Sequence, residues 1–136
     1  MSSTRKTAIV TGASQGIGAG IVKGFVERGF NVVANSRKVT QSTEVRASDS
    51  VALVDGDVGE QATAARIVET AHSRFKSVDV LVNNSVIFFA KPFSDYTAED
   101  FRSLVATNLE GFLYLTQLSI KQMLAQKAGG SIVTIT

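Results

Sequence analysis

The sequence predicts an α/β fold in which a doubly wound parallel sheet lies between two layers of helices. Short runs of valine, isoleucine and alanine alternate along the chain with segments of helical periodicity. These runs lack polar alternation, which is typical of strands that are buried on both faces. Strands and helices that alternate, joined by right-handed crossovers, produce this three-layer α/β/α arrangement.

Three strands are predicted in the first half of the chain. Strand one covers residues 7–11 and ends in a glycine-rich turn, after which residues 15–28 have the apolar spacing of an amphipathic helix. Strand two covers residues 31–35 and strand three covers residues 51–54. The polar segment 37–50 between them lacks a clear periodicity and forms a short helix or a loop.

The second half of the chain adds two strands. Residues 60–75 are amphipathic at helical spacing, and the apolar residues 78–82 form strand four. Residues 86–95 are expected to form a loop, a long helical region covers residues 97–126, and strand five covers residues 131–136. The sheet is thus predicted to have five strands and to be truncated after the fifth.

Three signals mark the long helical region. Thr97, with Asp100 three residues later, is a variant of the capping box and places the start of the helix. Asn108 and Gly111 interrupt the region. Taken on its own, Asn108 is an asparagine that kinks or caps a helix.

Length and composition limit the classes to which this protein can belong. Its 136 residues fit one domain, and 44% hydrophobic with 19% charged residues excludes intrinsic disorder. The chain has no cysteine, which excludes disulfides, thiolate metal sites and a cysteine nucleophile. Its single histidine cannot build a multi-histidine metal site, and we predict no bound metal.

The net charge is small but unevenly distributed. Residues 1–46 carry seven Lys/Arg and two Asp/Glu, a net charge of +5, whereas residues 47–100 carry four and nine, a net charge of −5. A mildly basic first third suits a phosphorylated small ligand and is too weak to indicate nucleic acid. No apolar run approaches the ~20 residues of a membrane helix, and no targeting segment is visible. We therefore expect no membrane association and a cytoplasmic location.

The clearest chemical motif is the turn Thr11-Gly12-Ala-Ser-Gln-Gly16-Ile-Gly18, which connects strand one to the first helix. Gly12 permits the tight turn out of the strand, Gly16 permits close approach of a pyrophosphate, and Gly18 permits the helix to lie near the sheet. Phosphates would lie against the free N–H groups at the helix N-terminus. The turn is not followed by Lys and Ser/Thr, which excludes a Walker loop.

The spacing of this turn, G-x-x-x-G-x-G, resembles that of the short-chain dehydrogenase/reductase family in its classical form. Three further motifs are similar to those of the family: Asp57-Val58 to its adenine contact, Asn83-Asn84 to its Asn-Asn-Ala-Gly, and Asn108-Leu-Glu-Gly111 to its Asn-x-x-Gly. The resemblance covers residues 6–136. It implies a Rossmann-like fold and an oxidoreductase that transfers hydride between a nicotinamide cofactor and a carbonyl or alcohol.

The resemblance also implies which residues contact the cofactor. They come from the glycine-rich turn and from the ends of strands two, three and four: Gly12, Ser14, Gln15, Gly16, Ile17, Gly18, Ser36, Arg37, Asp57, Val58 and Asn84. In the family, the asparagine of Asn-x-x-Gly bends its helix and holds a water in the proton relay to the catalytic lysine. Here that role would fall to Asn108.

The end of strand two indicates which nicotinamide cofactor is bound. An acid at this position would bond the ribose 2′-hydroxyl and favour NAD(H), but the residues here are Asn35-Ser36-Arg37-Lys38. The Arg37 guanidinium can hold a 2′-phosphate by two parallel hydrogen bonds, with Ser36 and Lys38 beside it. We therefore predict NADP(H) in preference to NAD(H). The alternative is that Arg37 and Lys38 are solvated surface charges.

Two features depart from the family pattern. Ser85 and Val86 stand where the family has Ala-Gly, and a β-branched residue resists positive φ and adds bulk near the expected cofactor ribose. Gly20 and Gly24 weaken the first helix by up to ~1 kcal/mol each relative to alanine. We attribute these two glycines to close packing against the sheet.

The main catalytic residues of the family are absent from this sequence. The family uses a Ser and a Tyr-x-x-x-Lys, in which the lysine lowers the pKa of the tyrosine that gives or takes the proton. Tyr96 and Tyr114 are followed four residues later by Asp100 and Leu118. We therefore interpret residues 1–136 as an NAD(P)-binding Rossmann domain that is incomplete at its C-terminal end.

Three functions remain open at this point. The first is an NADP(H)-dependent short-chain dehydrogenase/reductase, represented by its cofactor-binding half and acting, when complete, as a homo-oligomer on a small-molecule carbonyl or alcohol. The second is a non-catalytic dinucleotide-binding module, and the third is an inactive truncated remnant. We expect no turnover from the isolated chain. Because strand five and an apolar helix face are uncovered, we also expect poor solubility or self-association.

Overall fold

The computed structural model describes residues 5–136, in which five strands form one parallel sheet. The strands are β1 (Thr7–Val10), β2 (Asn31–Ser36), β3 (Val51–Asp55), β4 (Val80–Asn83) and β5 (Ser131–Thr134). Their order is β3-β2-β1-β4-β5, so the chain passes from one side of β1 to the other between β3 and β4. This confirms the predicted Rossmann-like, doubly wound sheet.

The helices differ from the prediction mainly where a single helix was expected to continue. They are α1 (Gly16–Glu27), α2 (Gln61–Thr70), α3 (Ala98–Val105) and α4 (Gly111–Gln126). A π-helical turn, Ala71–Phe75, follows α2, and another, Ala106–Glu110, joins α3 to α4. Short 3₁₀ turns occur at Val39–Gln41, within the segment 37–50 that was predicted to form a short helix or a loop, and at Phe93–Asp95, within the predicted loop 86–95.

Two apolar clusters pack the helices on opposite faces of the sheet. One contains Ile9, Val33 and Leu81 of the strands together with residues of α2 and α4, among them Ile67 and Leu115. The other contains Val10, Val32 and Val82 together with Val22 of α1. Neighbouring residues of one strand thus belong to different clusters, because successive side chains point to opposite faces. The three-layer arrangement follows from this alternation.

An apolar surface is left uncovered at the β5 side of the sheet. β5 pairs only with β4, and its four residues are exposed. On α4, the side chains of Phe112, Leu113, Ile120 and Leu124 are 41–72% exposed. None of the described helices is both long and apolar enough to span a membrane.

Two local predictions have opposite outcomes. The capping box at α3 is present: the Thr97 hydroxyl accepts from the Asp100 N–H, and the Asp100 carboxylate accepts from the Thr97 N–H, both at 3.0 Å. The attribution of Gly20 and Gly24 to close packing is wrong. A Cβ at Gly20 would meet no atom within 4 Å, and a Cβ at Gly24 would meet only the Arg28 guanidinium, at 3.7 Å. Nothing in the structure explains glycine at these positions.

Candidate functional site

The glycine-rich turn between β1 and α1 has the backbone conformation that its glycines permit. Gly12 has φ +60° and Gly16 has φ +58°, values in the left-handed region that other residues rarely adopt. A Cβ at Gly18 would lie 2.0 Å from the Gly12 carbonyl oxygen, so no side chain fits there. Gly18 therefore permits close approach both to Gly12 within the turn and to the Asn84 side chain after β4, whose amide nitrogen would lie 2.8 Å from that Cβ.

The end of β4 holds this turn from the other side. The Thr11 hydroxyl accepts hydrogen bonds from the N–H groups of Asn84 and Ser85, both at 3.0 Å. The Asn84 side-chain amide donates to the Gly12 carbonyl at 3.2 Å. Asn84, predicted to contact the cofactor, thus also supports the turn.

The end of β2 connects the turn to β3 through Asn35, a residue that the sequence analysis did not select. Its backbone carbonyl accepts from the Ala13 N–H at 3.0 Å. Its side chain is fully buried, and the amide nitrogen donates to the carbonyls of Val54 (2.9 Å) and Gly56 (3.2 Å). The only feature that marks Asn35 as important is the burial of its polar side chain between the ends of two strands. This burial can be recognised only once the fold is known.

The basic residues after β2 are exposed. Arg37 and Lys38 both line the cleft beside the glycine-rich turn, and Ser36, with its side chain half-buried, precedes them. The single ion pair among residues 5–136 joins Lys91 to Asp100. Arg37 and Lys38 therefore keep their positive charges free for an anionic ligand.

The end of β3 supplies one acidic and one apolar residue. The Asp57 carboxylate accepts from the Gly59 N–H at 2.8 Å, and the half-buried side chain lines the cleft. Val58 is buried, and a Cβ at Gly111 would come within 2.9 Å of its side chain. Gly111 thus allows the start of α4 to lie against the end of β3.

Asp55 lies at the same end of β3, outside the cleft. Its carboxylate accepts from the Thr40 hydroxyl at 2.6 Å and from the Thr40 N–H at 3.0 Å. These hydrogen bonds hold the pKa of Asp55 below its ordinary value. They also attach the 3₁₀ turn after β2 to the sheet.

One open cleft of about 680 Å³ runs along the carboxyl ends of the strands. All eleven residues that the resemblance assigned to the cofactor line it: Gly12, Ser14, Gln15, Gly16, Ile17, Gly18, Ser36, Arg37, Asp57, Val58 and Asn84. The remaining lining residues are Asn35, Lys38, Gly56, Ser85, Val86, Ile87 and Thr107. The structure therefore brings together residues that are up to 95 positions apart in sequence, from Gly12 to Thr107.

Val86 causes no backbone strain, contrary to the expectation from its β-branched side chain. Among the described residues other than glycine, only Lys76 and Lys127 have positive φ. Val86 therefore has an ordinary backbone conformation, and its side chain, 57% exposed, lines the cleft. At this position, the protein departs from the family motif only in the bulk of the Val86 side chain.

Asn108 lies in the π-helical turn between α3 and α4, next to the cleft. Its side-chain oxygen accepts from the Ile87 N–H at 3.0 Å, and its side-chain nitrogen donates to the Ile87 carbonyl at 3.1 Å. A cavity of about 250 Å³ here is lined by Asn108, Thr107 and Val86, among others. Because π-helical turns frequently occur at functional sites, this end of the cleft is a candidate reaction site.

Neither tyrosine is free to act at the cleft. The Tyr114 hydroxyl donates to the Glu110 carboxylate at 2.6 Å, and this hydrogen bond raises the pKa of Tyr114 above its ordinary value. The Tyr96 hydroxyl donates to the Phe89 carbonyl. Over residues 5–136, no group of three or more His, Asp or Glu side chains is arranged to hold a metal ion.

Comparisons with known proteins agree with this arrangement. A family model described as short chain dehydrogenase matches residues 6–136. The chain is 33% identical over 135 residues to an NADP-dependent (R)-specific alcohol dehydrogenase of Lentilactobacillus kefiri, covering 96% of this chain and 54% of the relative. The chain spans about half the length of the curated relatives that it matches.

Solved structures of short-chain dehydrogenases and reductases are also similar to this chain. A short-chain dehydrogenase from Streptomyces avermitilis matches with a TM-score of 0.86 and 28% identity, covering 100% of this chain and 50% of that one. A 3-ketoacyl-(acyl-carrier-protein) reductase from Brucella melitensis, complexed with NADH, matches with a TM-score of 0.84 and 28% identity, covering 95% and 56% of the two chains.

Proposed function

Because this chain belongs to the short-chain dehydrogenase/reductase family, we propose that it is the cofactor-binding part of an NADP(H)-dependent carbonyl or alcohol oxidoreductase. The observation that carries this proposal is the single cleft lined by all eleven predicted cofactor-binding residues. When bound, the nicotinamide supplies or accepts the hydride. The family relationship supports a small-molecule carbonyl or alcohol as substrate of the complete protein.

The glycine-rich turn fits the phosphates of a dinucleotide. A Cβ at Gly16 would meet no atom within 4 Å, so open space lies beside the first residue of α1. The N–H groups at this helix end have no partner within the helix, and together with the positive dipole they favour an anion there. Because Asn84 and Thr11 hold the turn in place, these donors are oriented before the ligand arrives.

The unpaired charges of Arg37 and Lys38 support NADP(H) as the cofactor. The 2′-phosphate would interact with the Arg37 guanidinium, with Ser36 and Lys38 beside it. Asp57 and Val58 would contact the adenine ring of the cofactor. The alcohol dehydrogenase relative is named as NADP-dependent, whereas the Brucella reductase structure holds NADH, so the preference requires its own test.

Asn108 would act at the nicotinamide end. Its amide holds the segment after β4 through Ile87, and its side-chain oxygen has a second lone pair that can accept from a water in a proton relay. The serine, tyrosine and lysine of the family's reaction are not supplied by this sequence. We therefore expect the chain to bind the cofactor without carbonyl-dependent oxidation of NADPH.

Titration of the chain with NADPH and with NADH tests the function and the cofactor preference together. Arg37→Ala should weaken NADPH binding by about ten- to a hundredfold, the equivalent of one charge-assisted interaction, and should change NADH binding less than about twofold. Arg46→Ala, the same change at an exposed residue outside the cleft, is the control. Equal losses for both dinucleotides would contradict the NADP(H) preference. If the wild-type chain bound neither dinucleotide, the proposed function would be wrong and the chain would be an inactive truncated remnant.

Two further properties of the complete protein are also proposals. The exposed apolar side chains of α4 support a homo-oligomer, and light scattering during size-exclusion chromatography would show whether copies associate. A cytoplasmic location would be tested by fractionating cells that express the native gene.

A further inference from the structure

A carboxylate of the protein already lies on the glycine-rich turn. Glu44 Oε2 accepts a hydrogen bond from the Gly16 N–H at 3.2 Å. Gly16 is the first residue of α1, so its N–H is one of the donors that have no partner within the helix. The negative charge of Glu44 is therefore next to the N–H groups at which a phosphate would be expected.

The backbone around Glu44 is fixed to the turn. The Ser42 hydroxyl donates to the Ser14 carbonyl at 2.5 Å and accepts from the N–H groups of Glu44 (3.1 Å) and Val45 (3.2 Å). Val45 is buried in the apolar cluster beneath α1. The Glu44 side chain, in contrast, is exposed, so it can rotate away while its backbone stays in place.

Glu44 is at the end of the cleft where the basic residues lie. A cavity of about 720 Å³ separates the glycine-rich turn from the segment after β2 and is lined by Lys38 and Glu44, among others. This cavity continues the main cleft, because Ser14, Gln15, Gly16 and Lys38 line both. The Glu44 side chain thus lines the same cavity as Lys38, one of the residues expected beside the 2′-phosphate.

We propose that Glu44 is a specificity-determining residue, whose carboxylate opposes the 2′-phosphate of NADP(H) and lowers the preference for NADP(H) over NAD(H). This inference rests on the proposed dinucleotide function. The negative charges of the carboxylate and the 2′-phosphate repel each other, whereas the pyrophosphate expected at the start of α1 is common to NADP(H) and NAD(H). NAD(H) has a neutral hydroxyl at the ribose 2′ position, so its binding is affected much less.

Glu44→Gln tests this role directly. Glutamine has nearly the same size and its amide oxygen can still accept from Gly16, so the local structure is retained while the charge is removed. Removing a nearby like charge should tighten NADPH binding by roughly five- to tenfold at low salt, with less gain at high salt. NADH binding should change by less than about twofold.

The matched control is Glu27→Gln, which makes the same chemical change at the opposite end of the same helix, on an exposed residue outside the cleft. It should leave both affinities at the wild-type values. An unchanged ratio of NADPH to NADH affinity in Glu44→Gln, or an equal gain for both, would overturn the role of Glu44 and leave dinucleotide binding intact. Binding of neither dinucleotide by wild type and both variants would overturn the proposed function itself, and this inference with it.

Discussion

The side-chain amide of Asn108 forms two hydrogen bonds with the backbone of Ile87, one as acceptor at 3.0 Å and one as donor at 3.1 Å. The pair connects the π-helical turn Ala106–Glu110 to the segment that follows β4. Both partners are half-buried beside the candidate reaction site. Only a side chain with a donor and an acceptor on the same group can satisfy both backbone atoms of Ile87.

Replacement of Asn108 by aspartate should therefore detach this segment. Asn108→Asp removes the donor to the Ile87 carbonyl and places a negative oxygen beside it, so we expect a loss of about 1–3 kcal/mol in the free energy of unfolding. Amide hydrogen exchange at Ile87 should become faster. The control is Gln117→Glu, an amide-to-acid change at an exposed position of α4. Wild-type stability together with slow exchange at Ile87 in Asn108→Asp would contradict this account.

Two glycines of α1, two positions apart, should respond to alanine in opposite directions. In Gly18→Ala the new Cβ would lie 2.0 Å from the Gly12 carbonyl oxygen, and relief of the clash should lower the free energy of unfolding by about 1–3 kcal/mol. In Gly20→Ala the Cβ meets nothing within 4 Å, and the higher helix propensity of alanine should raise stability by up to about 1 kcal/mol. Urea denaturation measures both changes. Equal stabilities of the two variants would show that the turn does not have this closed geometry.

The hydrogen bonds from Thr40 to Asp55 predict a pH dependence at low pH. They stabilise the carboxylate, so the folded pKa of Asp55 lies below the unfolded value of about 3.9. The contribution to stability is fully present above that unfolded value and is lost as the pH falls through the lower folded pKa.

Thr40→Val removes the hydroxyl donor and should raise the pKa of Asp55 toward its ordinary value, which an NMR titration of the carboxyl carbon would measure. Thr43→Val, at an exposed threonine outside this contact, should leave the pKa where it is in the wild type. If Asp55 titrated identically in wild type and Thr40→Val, the hydrogen bond from the hydroxyl would not be its main influence.

Local signals in the sequence were sufficient for most of the fold, whereas the residues that line the cleft were assigned through the resemblance to the family. The strands are short apolar runs, and the glycine-rich turn and the Thr97 capping box each depend on residues only a few positions apart. The π-helical turns were not predicted, because one extra residue in a helical turn hardly disturbs the apolar periodicity. The contact of Glu44 with Gly16 was missed for another reason: it depends on the path of a polar segment without periodicity, which tertiary contacts alone determine.

The central position of β1 has a consequence for the order in which the chain can fold during synthesis. One edge of β1 pairs with β2, which the ribosome completes at residue 36, but the other edge pairs with β4, whose residues 80–83 are made much later. Until then the nascent chain presents an open edge of its most buried strand, of the kind that promotes aggregation. Because every strand pair in the sheet is parallel, no hairpin can shorten this interval, and the slow step of folding is expected to be the docking of β4 against β1.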